Sequence, residues 1–437
     1  MARLHHGRRT GSADLPLHGG HVPPWLAERM TRLGRLIAET IVHHYGRDEF
    51  LRRLAHPFWF QSFGAVMGMD WHSSGITTSV MGSLKRGLAP IEDELGIFVC
   101  GGRGRHSRRT PQELIGIGER IGVDGNGLAR ASRLAAKVDS AAVQDGFDLY
   151  LHSFVLARDG SWVVVQQGMN TDRRQARRYH WLSEGLTSFV EEPHAAIDGP
   201  PHGTVLNMTD RRARPSRDKQ LALAQAGPDQ VVDVLKRMRE GEPANVEIFG
   251  PDEPAMPPHL AMPAHHDVRP TDVFLRRLRG TLAAAADHGA GNYEELLLTP
   301  GMGARSVAAL ALVSEVVHGT PVRFEDPARF AFAHGGKDGH PFPVPLRVYD
   351  ETIATLKHAL ALSKLGNDEK LAAIRRLDEQ ARMLENRGSA TFEDVVAAER
   401  AASRGLGGAT VLTHDRSAQP KRARPVATQD QLRLFKS

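Results

Sequence analysis

The sequence predicts an α+β protein. A mixed α/β N-terminal domain over residues 1–215 is followed by a helix and Pro-rich linker over 216–270. A mainly helical domain covers 271–400, and a disordered tail covers 401–437. Three observations predict this. First, Pro24 to Tyr45 repeats apolar residues at helical spacing (Trp25, Leu26, Met30, Leu33, Leu36, Ile37, Ile41), whereas Leu149 to Ala157 and Ser161 to Gln167 are apolar runs flanking the turn Arg158-Asp159-Gly160. Second, Gly250 to Thr271 holds Pro251, Pro254, Pro257, Pro258, Pro263 and Pro270 without any periodic pattern. Third, Ala401 to Ala427 is rich in Arg, Gly, Ser and Pro, with too few large apolar groups to fold.

The elements follow in order. Pro24 suits a first helical turn and Gly46 stops the helix. Asp48 to Leu54 and Ile76 to Leu88 read as helices. Ile97 to Cys100 is a short apolar strand running into Gly101-Gly102-Arg103-Gly104-Arg105. Arg211 to Gly241 is charged and helical. Thr271 to about Arg400 is mostly helical, interrupted by a loop rich in Gly and His from Phe330 to Pro345. There is no internal repeat.

The chain has 437 residues, 41% of them hydrophobic, enough for two or three domains with a real core. The formal net charge of +5 and a pI of about 9.4 give a mild bias toward polyanions. The arginines cluster in four runs: Arg103, Arg105, Arg108 and Arg109; Arg173, Arg174, Arg177 and Arg178; Arg211, Arg212 and Arg214; Arg276, Arg277 and Arg279. One run alone is a solvated helix face, but four together favour phosphate, which the planar guanidinium fork suits. The single cysteine, Cys100, excludes an internal disulfide and suits a reducing cytosol. No stretch is long and apolar enough for a membrane span or a signal core, so the expected location is cytoplasmic, with no membrane partner.

The densest signal is Leu296 to Leu312, where Leu-x-x-Pro-Gly-x-Gly leads into a small-residue helix. This looks like a helix-hairpin-helix, which grips the DNA backbone. Gly301 and Gly303 permit a tight turn with Pro300 fixing its start. The first N–H groups of a helix from Ala304 have no intrahelical partner and can hold a phosphate oxygen, with Arg305 and Ser306 beside them. The alternative is a plain helical corner with a glycine cap. Because such contacts are to backbone, RNA stays open beside DNA. At the other extreme, Gln431-Leu432-Arg433-Leu434-Phe435 resembles the pentapeptide with which bacterial repair and replication proteins dock on the sliding clamp. There Leu432, Leu434 and Phe435 form an apolar plug and Gln431 a polar rim contact.

Several blocks together resemble one family: Gly11-Ser12-Ala13-Asp14-Leu15-Pro16-Leu17-His18-Gly19-Gly20, Asp70-Trp71-His72-Ser73-Ser74-Gly75-Ile76-Thr77-Thr78, Gln166-Gln167-Gly168-Met169-Asn170, Arg178-Tyr179-His180-Trp181-Leu182, Glu192-Pro193-His194, and Phe332-Ala333-His334-Gly335-Gly336-Lys337-Asp338-Gly339. This is similar to the bacterial and archaeal domain-of-unknown-function 763 family. The resemblance implies a cytosolic prokaryotic protein and assigns no activity or catalytic residue.

Chemistry must therefore be sought in the residues. Gly319-Thr320-Pro321 with Asp326 is similar to the Gly-x-Pro-x-x-x-x-Asp of helix-hairpin-helix DNA glycosylases, where the carboxylate activates water or stabilises the sugar cation. The preceding helix is longer here, Arg305 stands where those enzymes carry a lyase lysine, and Asp326 before Pro327 also reads as a helix N-cap. The loop with His334, Lys337, Asp338 and His340 offers a phosphate, metal or base site, or an ordinary polar turn. Asp148 and His152 lie four apart on one strand and so on one face. The neighbouring strand carries Gln166 and Gln167, as in a metal-dependent nuclease sheet, though the lysine of such sheets is missing. His152, Glu192 and His194 could ligate a divalent metal, Mn or Mg and less readily Zn, or be satisfied interior groups. The expected function is thus a clamp-tethered DNA-binding protein of repair or replication, with Asp148, His152, Asp326, Lys337 and Asp338 as catalytic candidates. A metal-dependent nuclease is the first enzymatic reading and a base-excision glycosylase the second. A non-catalytic adaptor is the alternative from another class.

Overall fold

Strand β2 (Ile97–Arg103) opens the antiparallel core of the molecule, and its side chains already show the principle of the fold. Ile97 and Val99 enter one apolar core, while Phe98 and Cys100 enter a second. The same alternation runs through β4 (Asp148–Ala157), β5 (Trp162–Asn170) and β6 (Gln175–Leu182): Phe154, Leu156, Trp162, Val164 and Trp181 face one core, and Val155, Ala157, Val163, Val165 and Leu182 the other. A sheet buried on both faces reads as continuous apolar runs rather than strict alternation, and this is the pattern of Phe154–Ala157 and Trp162–Val165.

The computed structural model describes residues 12–16, 22, 24–69, 75–172, 175–194, 205–240, 275–320, 322–324, 327, 330–331, 346–363 and 366–387. The six-stranded sheet has the order β2-β4-β5-β6-β1-β8, where β1 is Ser12–Pro16 and β8 is Phe330–Ala331. All neighbours are antiparallel except β1 and β8. A small second sheet pairs β3 (Val143–Gln144) with β7 (Leu206–Asn207). One face of the large sheet packs on α1 (Pro24–Tyr45), α2 (Arg47–Ala55), α3 (Pro57–Val66) and α4 (Gly75–Leu88), joined there by Leu356 and Leu360 of α13 (Leu346–Leu362) and Ala373 of α14 (Asn367–Arg387). A short helix, α5 (Glu92–Leu95), leads into β2.

The other face packs on α6 (Thr110–Ile121) and α7 (Gly125–Lys137), and the same apolar core continues outward into α8 (Arg214–Gln225), α9 (Pro228–Glu240), α10 (Leu275–His288), α11 (Tyr293–Leu298) and α12 (Ala304–His318). Residues on both sides of the Pro-rich stretch 250–271 thus supply one core, with Leu223 and Val231 from before it and Leu282, Leu297 and Leu310 from after it. The described residues up to Gln380 belong to one compact unit; a second unit, Ala333–Pro341 with Ala381–Ser437, has only the end of α14 among its described residues. The fold is α+β, as the sequence predicts. No helix among the described residues is long and apolar enough to cross a membrane.

One expectation about charge is corrected. Arg177 and Arg178 do not belong to a solvated or phosphate-seeking run: they sit on β6 at 1% and 0% exposure. Arg177 donates to Asp145 at 2.9 Å, which also accepts from the Tyr179 hydroxyl at 2.7 Å. Arg178 donates to Gln61 at 2.9 Å, to the Pro57 carbonyl at 3.1 Å and to His180 Nε2 at 2.7 Å. Burying a guanidinium is tolerable only with such partners, and it still pulls the Arg178 pKa down to about 9.

Candidate functional site

Among the described residues, the expected site positions point to two cavities with polar walls. The first lies at the turn between α11 and α12. Asn292 caps α11 by accepting from the Glu295 N–H at 3.0 Å, and Glu295 accepts in return from the Gly291 N–H at 2.8 Å. Leu296, Leu297 and Met302 are buried, as is most of α12 from Val307 to Val317. The turn Thr299–Gly303 is thus held between two buried helices. Lys137 of α7 donates to the Met302 carbonyl, Gln144 to the Ala304 carbonyl at 2.7 Å, and Arg130 pairs with Glu294 at 3.1 Å. The two glycines of the turn differ. Gly301 has φ +86°, and a Cβ there would lie 2.7 Å from Thr281 Oγ1, so the fold itself demands glycine. Gly303 has extended backbone at φ −153°, and a Cβ there would meet nothing within 4 Å. The head of α12 carries no side-chain cap, and its ladder begins with the Val307 N–H on the Gly303 carbonyl at 3.0 Å. A cleft of about 280 Å³ lies there, lined by Arg277, Gly303, Ala304, Arg305 and Ser306 together with Leu278 and Gly301.

The second place is a buried polar chain between α7 and the sheet. Asp124 caps α7 by accepting from the Gly127 N–H at 2.9 Å. Leu128, Ala131 and Ala135 then turn its apolar face to the core, and Ser132 lies on that same face. Opposite it is His152 of β4, whose register partner on β5 is Gln166. Ser132 Oγ is 2.8 Å from His152 Nε2, and His152 Nδ1 is 2.7 Å from Gln166 Oε1. Gln166 Nε2 donates to the Ala135 carbonyl at 3.0 Å and to Asp139 Oδ2, which also accepts from Trp181 Nε1 at 2.7 Å. A π-helical turn, Val138–Ala142, ends α7 and places Asp139 in this network; such turns recur at functional positions. His194 Nε2 lies 2.8 Å from Asp139 Oδ1.

The hydrogen bonds settle the tautomer. Both partners of Gln166 Nε2 are acceptors, so its Oε1 faces His152 as an acceptor and Nδ1 carries the proton. His152 Nε2 is then free to accept the Ser132 proton. Burial pushes His152 below the ordinary imidazole range, against the upward pull of the Gln166 bond and the Asp139 charge. On β2, Gly101 lets the strand come close: at φ +78°, a Cβ would run into the His152 carbonyl. Ser132 and His152 form part of the wall of a cavity of about 480 Å³, whose lining also includes Ser107, Arg108, Gln112 and Arg133.

The expected site residues distribute unevenly over this frame. Gly301, Gly303, Arg305 and Ser306 come together at one cleft. Asp148 and His152 do not share a face: the β4–β5 register shifts between Leu149 and Leu151, so alternation breaks, leaving Asp148 exposed and His152 buried. The metal set is not assembled either. His152 is engaged with Ser132 and Gln166, His194 Nε2 lies 2.8 Å from Asp139 Oδ1 without hydrogen-bond geometry, and Glu192 is an exposed residue at φ 46° paired with Arg211 at 3.3 Å. No group of three His, Cys, Asp or Glu able to hold a metal ion occurs among the described residues. Asp326, Lys337, Asp338, and the tail residues Gln431, Leu432, Leu434 and Phe435 lie outside the described residues. Ser132 and Asp139 are the polar groups that sequence reasoning misses. The available signal was a serine within the apolar stripe Leu128, Ala131, Ala135.

The chain belongs to the family described as "Protein of unknown function (DUF763)", whose profile matches residues 11–344. No curated protein and no solved structure matches it.

Proposed function

We propose that this protein binds the DNA backbone, with Tyr293–His318 acting as a helix-hairpin-helix that holds a phosphate at the head of α12. The observation that carries the reading is Gly303. No close contact or left-handed backbone requires glycine there, yet a side chain would stand at the open head of a 15-residue helix, over the cleft formed with Arg277, Arg305 and Ser306. The partial positive charge and unpaired N–H groups of a helix N-terminus suit an anion, and a bare glycine lets its oxygen approach. In this reading Gln431–Phe435 adds a partner, the bacterial sliding clamp, tethered by the residues before it. The glycosylase reading rests on Asp326 and therefore on the sequence alone.

Fluorescence anisotropy with labelled duplexes of unrelated sequence tests the proposal. Affinities should agree within a few-fold and fall steeply between about 50 and 200 mM salt, as phosphate neutralisation releases counterions. Strong preference for one duplex, or affinity indifferent to salt, would overturn it.

A further inference from the structure

We infer that Ser132 and His152 form a nucleophile–base pair acting on phosphate esters in the cavity beside α7. Three features of the site carry this. The Ser132 Oγ to His152 Nε2 distance of 2.8 Å is that of a nucleophile and its general base. The ring is held from behind, because Gln166 receives Nδ1–H and is itself fixed by Asp139 and the Ala135 carbonyl. Both reacting side chains are buried, at 2% and 5% exposure, yet line a 480 Å³ cavity rather than packed core. The lining also gives the substrate class. Arg108 and Arg133 are exposed on it, and neither forms an ion pair with a carboxylate among the described residues. Two guanidiniums favour an anionic phosphoryl group over a neutral acyl group. Gln166 is a positioning residue, which sets the tautomer and the ring plane.

The step balances without a metal. Ser132 Oγ attacks phosphorus and its proton passes to His152 Nε2. The bond from phosphorus to the ester oxygen breaks, and the leaving alcohol takes the proton from Nε2. Water then attacks the phosphoserine and gives its proton to Nε2. The bond from phosphorus to Oγ breaks, and Ser132 recovers the proton. Arg108 and Arg133 stand where they can offset the charge that gathers on the non-bridging oxygens.

This site is separate from the α12 cleft, and its test contains no DNA, so either reading can fail alone. The full chain is treated with a dialkyl phosphorofluoridate, in which attack expels fluoride, and the labelled peptide is read by mass spectrometry. The expected result is a single phosphoryl adduct on Ser132. Labelling should be lost in Ser132→Ala and slowed by at least about 100-fold in His152→Ala. Added imidazole should restore it in His152→Ala, which a merely structural histidine would not allow. Gln166→Leu should slow it and move its acid limb to lower pH, because the bond from Nδ1–H to Gln166 holds the ring's pKa up. Circular dichroism checks that each variant folds, and Ser132→Ala removes only one hydroxyl. No adduct on Ser132 in the native chain overturns the proposal. So does an unchanged rate in folded His152→Ala. Bis(p-nitrophenyl) phosphate and p-nitrophenyl acetate then compare the two ester classes: hydrolysis of the phosphate supports the assignment, and hydrolysis of the acetate alone overturns it.

Discussion

At the scale of residues, burial favours the neutral form of three histidines, His56, His152 and His180. His56 caps α3, its Nδ1 accepting from the Trp59 N–H at 3.3 Å, and burial pulls its pKa down to about 4. His180 accepts from Arg178 at Nε2, so Nδ1 carries the proton toward the Leu54 carbonyl 2.9 Å away. Burial and the Arg178 charge lower its pKa as well, and burial lowers that of His152. The sign of the pH effect follows. A histidine depressed in the folded state binds a proton more readily when unfolded, near pH 6.5. Its contribution is full above pH 6.5 and is lost as pH falls toward the folded value. For His56, with a window from 6.5 to about 4, the loss is at most about 3–4 kcal/mol. Urea midpoints should therefore fall between pH 6.5 and 4.5, with little change from pH 8 to 7. A midpoint that holds steady or rises on acidification would show that these rings do not stay neutral.

At the scale of elements, punctuation decides what the sequence reveals. α1 runs from Pro24 to Tyr45 as expected, because a proline opens it and Gly46 closes it. The β4–β5 pair is legible from its apolar runs and its Arg158-Asp159-Gly160 turn. β6 is not, because Gln-Ala-Arg-Arg-Tyr-His-Trp-Leu carries its own buried charges, and their partners Asp145, Gln61 and Leu54 are distant in sequence. The site divides the same way. The cleft at α12 is legible because its residues are contiguous, and the meeting of His152 with Gln166 follows from the strand pair. Ser132 and Asp139 reach that pair only through α7 and its π turn, which no short-range pattern announces. The turn before α12 makes a further prediction. Gly301→Ala should destabilise the fold by about 1–3 kcal/mol through its left-handed backbone and Thr281. Gly303→Ala should cost less than about 1 kcal/mol, the loss of a glycine N-cap at a half-buried position with no close contact. Equal losses in chemical denaturation would mean that the turn needs both glycines for folding alone.

At the scale of the whole molecule, a sheet buried on both faces carries the polar chain on one side, and α7 links that chain to the hairpin through Arg130 and Lys137. The clamp partner is tested apart from this frame. A peptide of the last ten residues should bind the sliding clamp with roughly micromolar affinity, as expected for one short apolar plug. Leu434→Ala with Phe435→Ala should abolish it; absence of binding at high micromolar peptide would remove that partner. The backbone-binding claim itself is tested most directly at Gly303. Anisotropy titration of a labelled duplex at fixed salt, with native chain and Gly303→Val side by side, separates fold from function because valine there meets no protein atom at its Cβ. The account predicts a folded variant, its thermal midpoint lowered by no more than the loss of a glycine N-cap, whose DNA affinity drops at least about tenfold, a loss of roughly 1.4 kcal/mol. A folded Gly303→Val protein that binds DNA as tightly as the native chain would contradict it.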